Sequence, residues 1–216
     1  MKKILCVIAV ILGLSVSAFG EERDYNLKAL STFISCFTET GLVNFDMKAD
    51  DDDDDEGDID HLGDPDNAGM LVRFGVLHNI IRNYDATVRN CSDEDCSYGP
   101  LVMDSSTVAA TVRNYFALAL SDEELSEDDS DFFSFDDEDR CYHFAKENFN
   151  EVIDHRLYHA EVHGVSEEGD YLSVTGDIFD TWEPEYRPGT FVATVWEVGG
   201  GWVILDMKTD FTGAKR

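Results

Sequence analysis

The hydrophobic pattern of this chain changes its period near residue 157, and that change constrains the fold more than any other sequence feature. Before it, apolar residues recur every three or four positions, which is typical of amphipathic helices. After it, apolar and polar residues alternate in four runs: LYHAEVHGV, DYLSVTGDIF, TFVATVWEV and GWVILDMKT. Alternation is typical of strands with one buried face. The order predicts an α+β fold, with N-terminal helices packed on one face of a C-terminal four-stranded antiparallel meander.

Three segments of the first half are predicted to be helices. Residues 24–40 carry an apolar stripe that Gly41 can end. The segment NAGMLVRFGVLHNIIRNYDATVRN carries a longer stripe, made of Met70, Phe74, Leu77, Ile81, Tyr84 and Val88. A third helix follows Ser105 or Ser106, and RCYHFAKENFNEVID permits a further short one. The prediction is therefore one domain over residues 21–216, with a helical half at about 24–155 and the meander at about 157–211.

The first 20 residues, MKKILCVIAVILGLSVSAFG, have the pattern of a secretory signal peptide. Two lysines precede a short apolar run, and small residues allow cleavage after Ala18 or Gly20. No later stretch is long and apolar enough to cross a bilayer, so no membrane span is predicted. We expect a periplasmic or secreted protein.

The formal net charge is −30, and two acidic segments carry much of it. Residues 48–67 and 121–139 hold 11 carboxylates each, out of 46 in the chain, and both are predicted to be loops. So negative a surface repels nucleic acid and favours basic partners. We therefore expect a protein or small-ligand partner, of basic character if charged, and no nucleic acid.

Four cysteines follow the predicted cleavage site, and an even number in an exported chain favours two disulfides. Three pairings are possible. We favour Cys91–Cys96, which closes the small loop CSDEDC, together with Cys36–Cys141. A zinc site of four cysteines is disfavoured because no C-x-x-C pair occurs.

The acidic run DDDDDDEGDIDHLGD weakly resembles an EF-hand or thrombospondin-type calcium loop. With Gly57 at position 6 of an EF-hand loop, Asp52, Asp54 and Glu56 fall at positions 1, 3 and 5. The acid required at position 12 comes one residue late, at Asp64. The candidate calcium ligands are Asp52, Asp54, Glu56, Asp58, Asp60 and Asp64. A run of aspartates is also typical of a solvated spacer, and we expect the spacer and no cofactor.

Three histidines at intervals of four, His155, His159 and His163, share one face of a strand or a helix. In a strand, His159, Glu161 and His163 would lie side by side and could hold zinc or supply a general acid or base. The expected interpretation is the polar face of an amphipathic strand. If a pocket forms, Asp177 is the carboxylate we would add to these three as a catalytic group.

The linker DTWEPEYRPG joins two of the predicted strands and is a candidate ligand-binding loop. Trp182, Tyr186 and Arg187 are the side chains best suited to contact a partner, because aromatic and arginine residues on a stiff loop are common at binding sites. The alternative is that they fold back over the open end of the core.

Residues 104–211 resemble the nuclear-transport-factor-like (cystatin-like) domains of exported bacterial proteins. The resemblance lies in the order of elements and in the strands YLSVTGDIF and GWVILDMKTDF. It implies a curved sheet covered by helices, in a family that includes small isomerases, dehydratases and non-catalytic binding modules. No residue role follows from it.

These features predict an exported, non-catalytic binding module. Two alternatives stay open: a small enzyme with an acid–base pocket lined by the sheet, and a calcium-stabilised module organised by residues 52–64. The motifs of serine hydrolases, zinc proteases and nucleotide-binding loops do not occur in the sequence.

Overall fold

The structure is a computed structural model that describes residues 24–47, 60–92, 96, 99–126, 131–148 and 157–211. The predicted signal peptide lies outside these residues. The fold is α+β, as the sequence predicts, but it contains two sheets. In the described part of the chain, no helix has the length and apolar character needed to cross a membrane.

The elements are numbered in chain order. The helices are α1 (Leu27–Thr40), α2 (Ala68–Thr87), α3 (Ser105–Phe116) and α4 (Asp122–Leu125). The short strands are β1 (Phe45–Asp46), β2 (Asp60–His61), β3 (Arg89–Asn90), β4 (Leu101–Asp104), β5 (Ser134–Asp136) and β6 (Cys141–Phe144). The long strands are β7 (Tyr158–Glu168), β8 (Tyr171–Asp180), β9 (Gly189–Val198) and β10 (Gly201–Phe211).

The larger sheet has the order β2-β1-β10-β9-β8-β7. Strands β7 to β10 fall on the four predicted runs and pair as an antiparallel meander. The prediction of a four-stranded sheet is wrong, because β1 adds to β10 and β2 adds to β1 in parallel. These two strands have two residues each, too short to show alternation.

Helix α1 covers the outer edge of β7 with hydroxyl groups. The N–H groups of Ala160 and Val162 donate to Ser35 Oγ at 3.0 Å and Ser31 Oγ at 2.9 Å. Thr38 Oγ1 donates to the carbonyl of Tyr158 at 2.6 Å. The edge strand would otherwise present unpaired backbone groups to water. These bonds fix the position of α1 against the sheet.

The smaller sheet has the order β3-β4-β6-β5 and was not predicted. Residues 141–144, which we expected to permit a helix, form β6. All four of its side chains are buried, so the segment shows no period-2 alternation. The acidic segment at 121–139 is also more than a loop, since it contains α4 and β5.

Two hydrophobic clusters lie on either side of α2. The first joins α1 and α3 to the larger sheet and includes Leu71 and Phe74 of α2. The second lies under the smaller sheet and includes Val76 and Leu77 of α2. Burial on two sides explains why the single stripe predicted for α2 is incomplete: Leu71, Val72, Val76 and Ile80 are buried as well, whereas Tyr84 is exposed.

Candidate functional site

Four charged side chains predicted from two separate motifs meet on the outer face of the larger sheet. We call Glu161, His163, Asp177 and Arg187 the acid–histidine surface. Arg187 Nη2 lies 2.6 Å from Glu161 Oε2, and its Nη1 lies 3.4 Å from Asp177 Oδ2. His163 Nε2 lies 3.1 Å from the same oxygen of Asp177. The sequence had placed Arg187 in a ligand-binding loop and the other three in a possible acid–base pocket.

Strand register brings these residues together. Glu161 of β7 pairs directly with Asp177 of β8, so their side chains share a face. The register shifts between Val162 and Gly164, which makes His163 an extra residue in its strand. A bulge of this kind redirects a side chain, and here the imidazole reaches Asp177.

The loop after β8 supplies Arg187 and an exposed tryptophan. Asp180, whose side chain is fully buried, accepts the N–H of Trp182 at 2.7 Å, so the loop begins in a fixed turn. The Arg187 guanidinium then lies over the ring of Phe179, 5.6 Å from its centroid. Trp182 is 72% exposed, whereas Tyr186 is half-buried and its carbonyl accepts the N–H of Asp180. The loop therefore points one aromatic side chain at solvent.

His159, which was predicted to lie beside Glu161 and His163, binds a buried carboxylate instead. Its Nε2 lies 2.6 Å from Glu39 Oε1. Arg82 of α2 binds both oxygens of Glu39, through Nη2 at 2.6 Å and Nε at 2.7 Å. The Glu39 side chain is only 3% exposed. Burial alone would raise the pKa of Glu39, but the hydrogen bonds from His159 and Arg82 outweigh it and lower that pKa.

Helix α2 carries a buried histidine, His78. His78 is 5% exposed, and its ring centroid lies 4.7 Å from that of Tyr115 and 5.7 Å from that of Phe74. Its Nδ1 has no hydrogen-bond partner among the described residues. Burial, aided by the charge of Arg82, lowers the pKa of His78 to about 4, so the ring is neutral at pH 7.

No sequence pattern predicted a role for Glu39, Arg82 or His78. Glu39 lies on α1, whereas His78 and Arg82 lie on α2, and each is in an ordinary helical segment. The one available signal was a charged pair, Glu39 and Arg82, close to otherwise apolar helix faces. Sequence spacing cannot show that such residues meet.

The acid–histidine surface is open to solvent rather than enclosed. Its four side chains are between 33% and 50% exposed. The space between helices and larger sheet is filled by aromatic rings, among them Phe33, Phe37, Phe45, Phe74, Tyr115, Phe116 and Trp202. An open groove at the hairpin tips, between Tyr171 and Trp196, contains none of the predicted site residues. The arrangement suits contact with a partner better than enclosure of a substrate.

The predicted calcium ligands fall mostly outside the described residues. Asp52, Asp54, Glu56 and Asp58 are not described, so only two of the six can be placed. Asp60 lies in β2, and Asp64 Oδ1 accepts the N–H of Asp66 at 3.0 Å in the turn before α2. Among the described residues, neither aspartate belongs to a group of three converging ligand atoms. The structure gives the calcium loop no support.

The four cysteines are thiols in the structure, and neither predicted disulfide is present. Cys36 lies on α1, with its sulfur 3.4 Å from the Tyr115 hydroxyl. Cys141 lies in β6, with its sulfur 3.3 Å from Asp104 Oδ1. Cys36 belongs to the first hydrophobic cluster and Cys141 to the smaller sheet, which makes their pairing wrong in this structure. The sulfurs of Cys91 and Cys96 and a ring nitrogen of His143 all lie within 4.8 Å of one another.

Comparison with known proteins gives no family for this chain. No family model matches it, and no curated protein matches it. One solved structure is similar, an NTF2-like protein of unknown function from Shewanella baltica OS155, at 15% identity over 38% of this chain and 68% of that chain. The TM-score is 0.23, so this likeness carries no argument about fold or function. The resemblance to nuclear-transport-factor-like domains stays a prediction.

Proposed function

We propose that this protein is an exported, non-catalytic binding module that contacts a basic partner through the acid–histidine surface and Trp182. The observation that supports this most is that Arg187 joins Glu161 and Asp177 on an open face of the sheet, and that the loop carrying Arg187 also carries the exposed Trp182. Exposed aromatic and arginine side chains are typical of contact sites.

The charges of the surface favour a cationic ligand. Glu161 and Asp177 carry two negative charges, and Arg187 offsets one of them. The whole chain adds a long-range attraction, with a formal net charge of −30. Trp182 can accept a guanidinium or ammonium group on its ring face, which stabilises a contact by about 0.5–2 kcal/mol. A lysine- or arginine-containing peptide segment fits these features.

Titration with a short oligoarginine peptide tests the proposal. We expect Glu161→Gln with Asp177→Asn to weaken binding about tenfold, equivalent to about 1.4 kcal/mol. Trp182→Ala should weaken it as well, with less dependence on salt. The matched control is Asp85→Asn with Glu123→Gln, which removes two exposed negative charges elsewhere. Equal weakening in both double variants would show general attraction to an acidic surface and contradict the proposal.

The enzyme alternative has one observation in its favour, the hydrogen bond between His163 and Asp177. A carboxylate bound to an imidazole is a common way of orienting a general base. The pair is exposed, and the interior behind it is filled with side chains, so we rank catalysis second. His163→Asn would abolish turnover if the pair were catalytic, and would leave peptide affinity within about threefold if it were not.

A further inference from the structure

Described residues at the two ends of the segment that carries Cys91 and Cys96 are held by close backbone contacts. At one end, the N–H of Cys91 donates to the carbonyl of Pro100 at 2.7 Å. At the other end, Gly99 has a φ of +137° and lies so close to Phe144 that a Cβ atom would collide with its backbone. Only glycine fits there. These contacts fix the backbone at Cys91 and Gly99, and Cys96 Sγ lies 3.2 Å from Nδ1 of His143 in β6.

His143 is fixed between a carboxylate and a thiol. Its side chain is 2% exposed. Its Nε2 lies 3.0 and 3.2 Å from the two oxygens of Asp139, and its Nδ1 lies 3.2 Å from Cys96 Sγ. Asp139 is itself held, because its Oδ1 accepts the N–H of Cys141 at 3.0 Å. A carboxylate on Nε2 selects the tautomer with its proton there, which leaves a lone pair on Nδ1.

We propose that Cys91, Cys96 and His143 bind a zinc ion, with Asp139 as the residue that positions the histidine. The two sulfurs and Nδ1 all lie within 4.8 Å of one another. In a tetrahedral zinc site, bond lengths of about 2.3 Å to sulfur and 2.05 Å to nitrogen separate two sulfurs by about 3.8 Å and a sulfur and a nitrogen by about 3.6 Å. Small side-chain rotations bring the three atoms to those separations.

The ligand types indicate which metal binds and which ring nitrogen of His143 binds it. Two thiolates and one imidazole suit zinc, and three protein ligands leave one position for water. The carboxylate behind the imidazole is the usual outer partner of a metal-bound histidine. Asp136 and Asp139 form a second converging group with His143, on its Nε2 side. That group offers carboxylates, which suit harder ions, so the sulfur side is the zinc site.

Zinc binding and a Cys91–Cys96 disulfide exclude each other, because the metal requires two thiolates. The disulfide explains the short spacing CSDEDC, but it gives no role to the buried His143 and its carboxylate. The zinc site accounts for all four residues. The oxidation state of these two cysteines in the native protein therefore decides between the two.

The test uses protein purified without added metal and passed over a chelating resin that strips weakly bound ions from the acidic segments. We expect about one equivalent of retained zinc by elemental analysis. Cobalt(II) added to the reduced, metal-free protein should give a thiolate charge-transfer band and the visible bands of a tetrahedral site. Cys96→Ser and His143→Gln should lose both signals. Asp139→Asn should keep the cobalt spectrum and weaken affinity by about 10–100-fold.

Two variants serve as matched controls. Cys36→Ala removes a thiol on α1, and His163→Asn removes the surface imidazole beside Glu161 and Asp177. Both should retain the zinc and the cobalt spectrum. The proposal is overturned if purified protein contains a Cys91–Cys96 disulfide, or if reduced protein binds no cobalt. It is equally overturned if binding survives Cys96→Ser, or if Asp139→Asn binds as tightly as wild type.

Discussion

Four strands of the larger sheet have 10 or 11 residues, whereas the strands of the smaller sheet have between two and four. The long strands bury one face and leave Glu161, His163 and Asp177 exposed on the other. The smaller sheet buries the side chain of His143 and supports it with Asp139 from the turn before β6, whereas Arg89 and Asp104 stay exposed. A long strand in the larger sheet can turn its polar side chains to solvent along its whole length. In the smaller sheet, each buried polar group needs its own hydrogen-bond partner.

Truncation of one aromatic residue in each region has the largest expected effect. Phe37→Ala and Phe144→Ala should each lower the free energy of unfolding by about 3–5 kcal/mol, since both side chains are fully buried. The three tryptophans all lie in the larger-sheet region, at 182, 196 and 202. Their fluorescence therefore reports that region, whereas far-ultraviolet circular dichroism reports both. Because α2 contributes to both clusters, we expect the two signals to give one transition in either variant.

The expectation of a single transition would be wrong if Phe144→Ala shifted the circular dichroism transition and left the tryptophan transition unchanged. The two regions would then unfold independently, and α2 would not couple them.

The next largest loss of stability is expected from breaking the buried ion pair between Glu39 and Arg82. Among the described residues, Arg82→Met leaves Glu39 with His159 as its side-chain partner, so we expect a loss of about 3 kcal/mol, at the lower end for a broken buried pair because Arg82 is partly exposed. Arg113→Met, an exposed arginine on α3, is the control and should cost at most about 1 kcal/mol. Glu39→Gln in the Arg82→Met background should restore part of the loss. Equal losses in the two single arginine variants, measured by urea denaturation, would contradict this assignment.

His78 makes the helix side of the larger sheet sensitive to acid. Its folded-state pKa of about 4 lies below the ordinary 6.5, so its contribution is complete above pH 6.5 and is lost as the pH falls towards 4. The maximum loss is about 3 kcal/mol. His78→Leu should lose less stability than wild type between pH 7 and pH 4.5. Parallel pH profiles of the two proteins would contradict the assignment.

The smallest effect is expected at the edge of the larger sheet. Ser35→Ala removes the acceptor of the Ala160 N–H and should cost about 1–2 kcal/mol. Ser166→Ala, on the exposed end of the same strand, should stay within about 0.5 kcal/mol. Hydrogen exchange at the Ala160 amide should accelerate in the first variant alone.

The difference between the regions also determines what the sequence could predict. Alternation over ten residues located β7 to β10 and predicted that Glu161 and His163 share a face, whereas Asp177 was proposed only as a carboxylate for a possible pocket. The buried segment CYHF has no alternation, so β6 was missed, and with it the position of His143 against Cys96. The pairing of Glu39 with Arg82 and His159 depends on how α1 and α2 pack, which no local pattern encodes. Residues that meet along a strand were predictable, and those that meet through tertiary packing were not.

The hydroxyl groups of α1 also bear on self-association. A sheet that ends in a long, bare strand can accept a strand from another molecule and grow into a fibre. Here Ser31, Ser35 and Thr38 occupy the backbone groups that an incoming strand would use. Helix α1 therefore blocks polymerisation through β7. Proteolytic loss of that helix would convert a contained sheet into a template for aggregation.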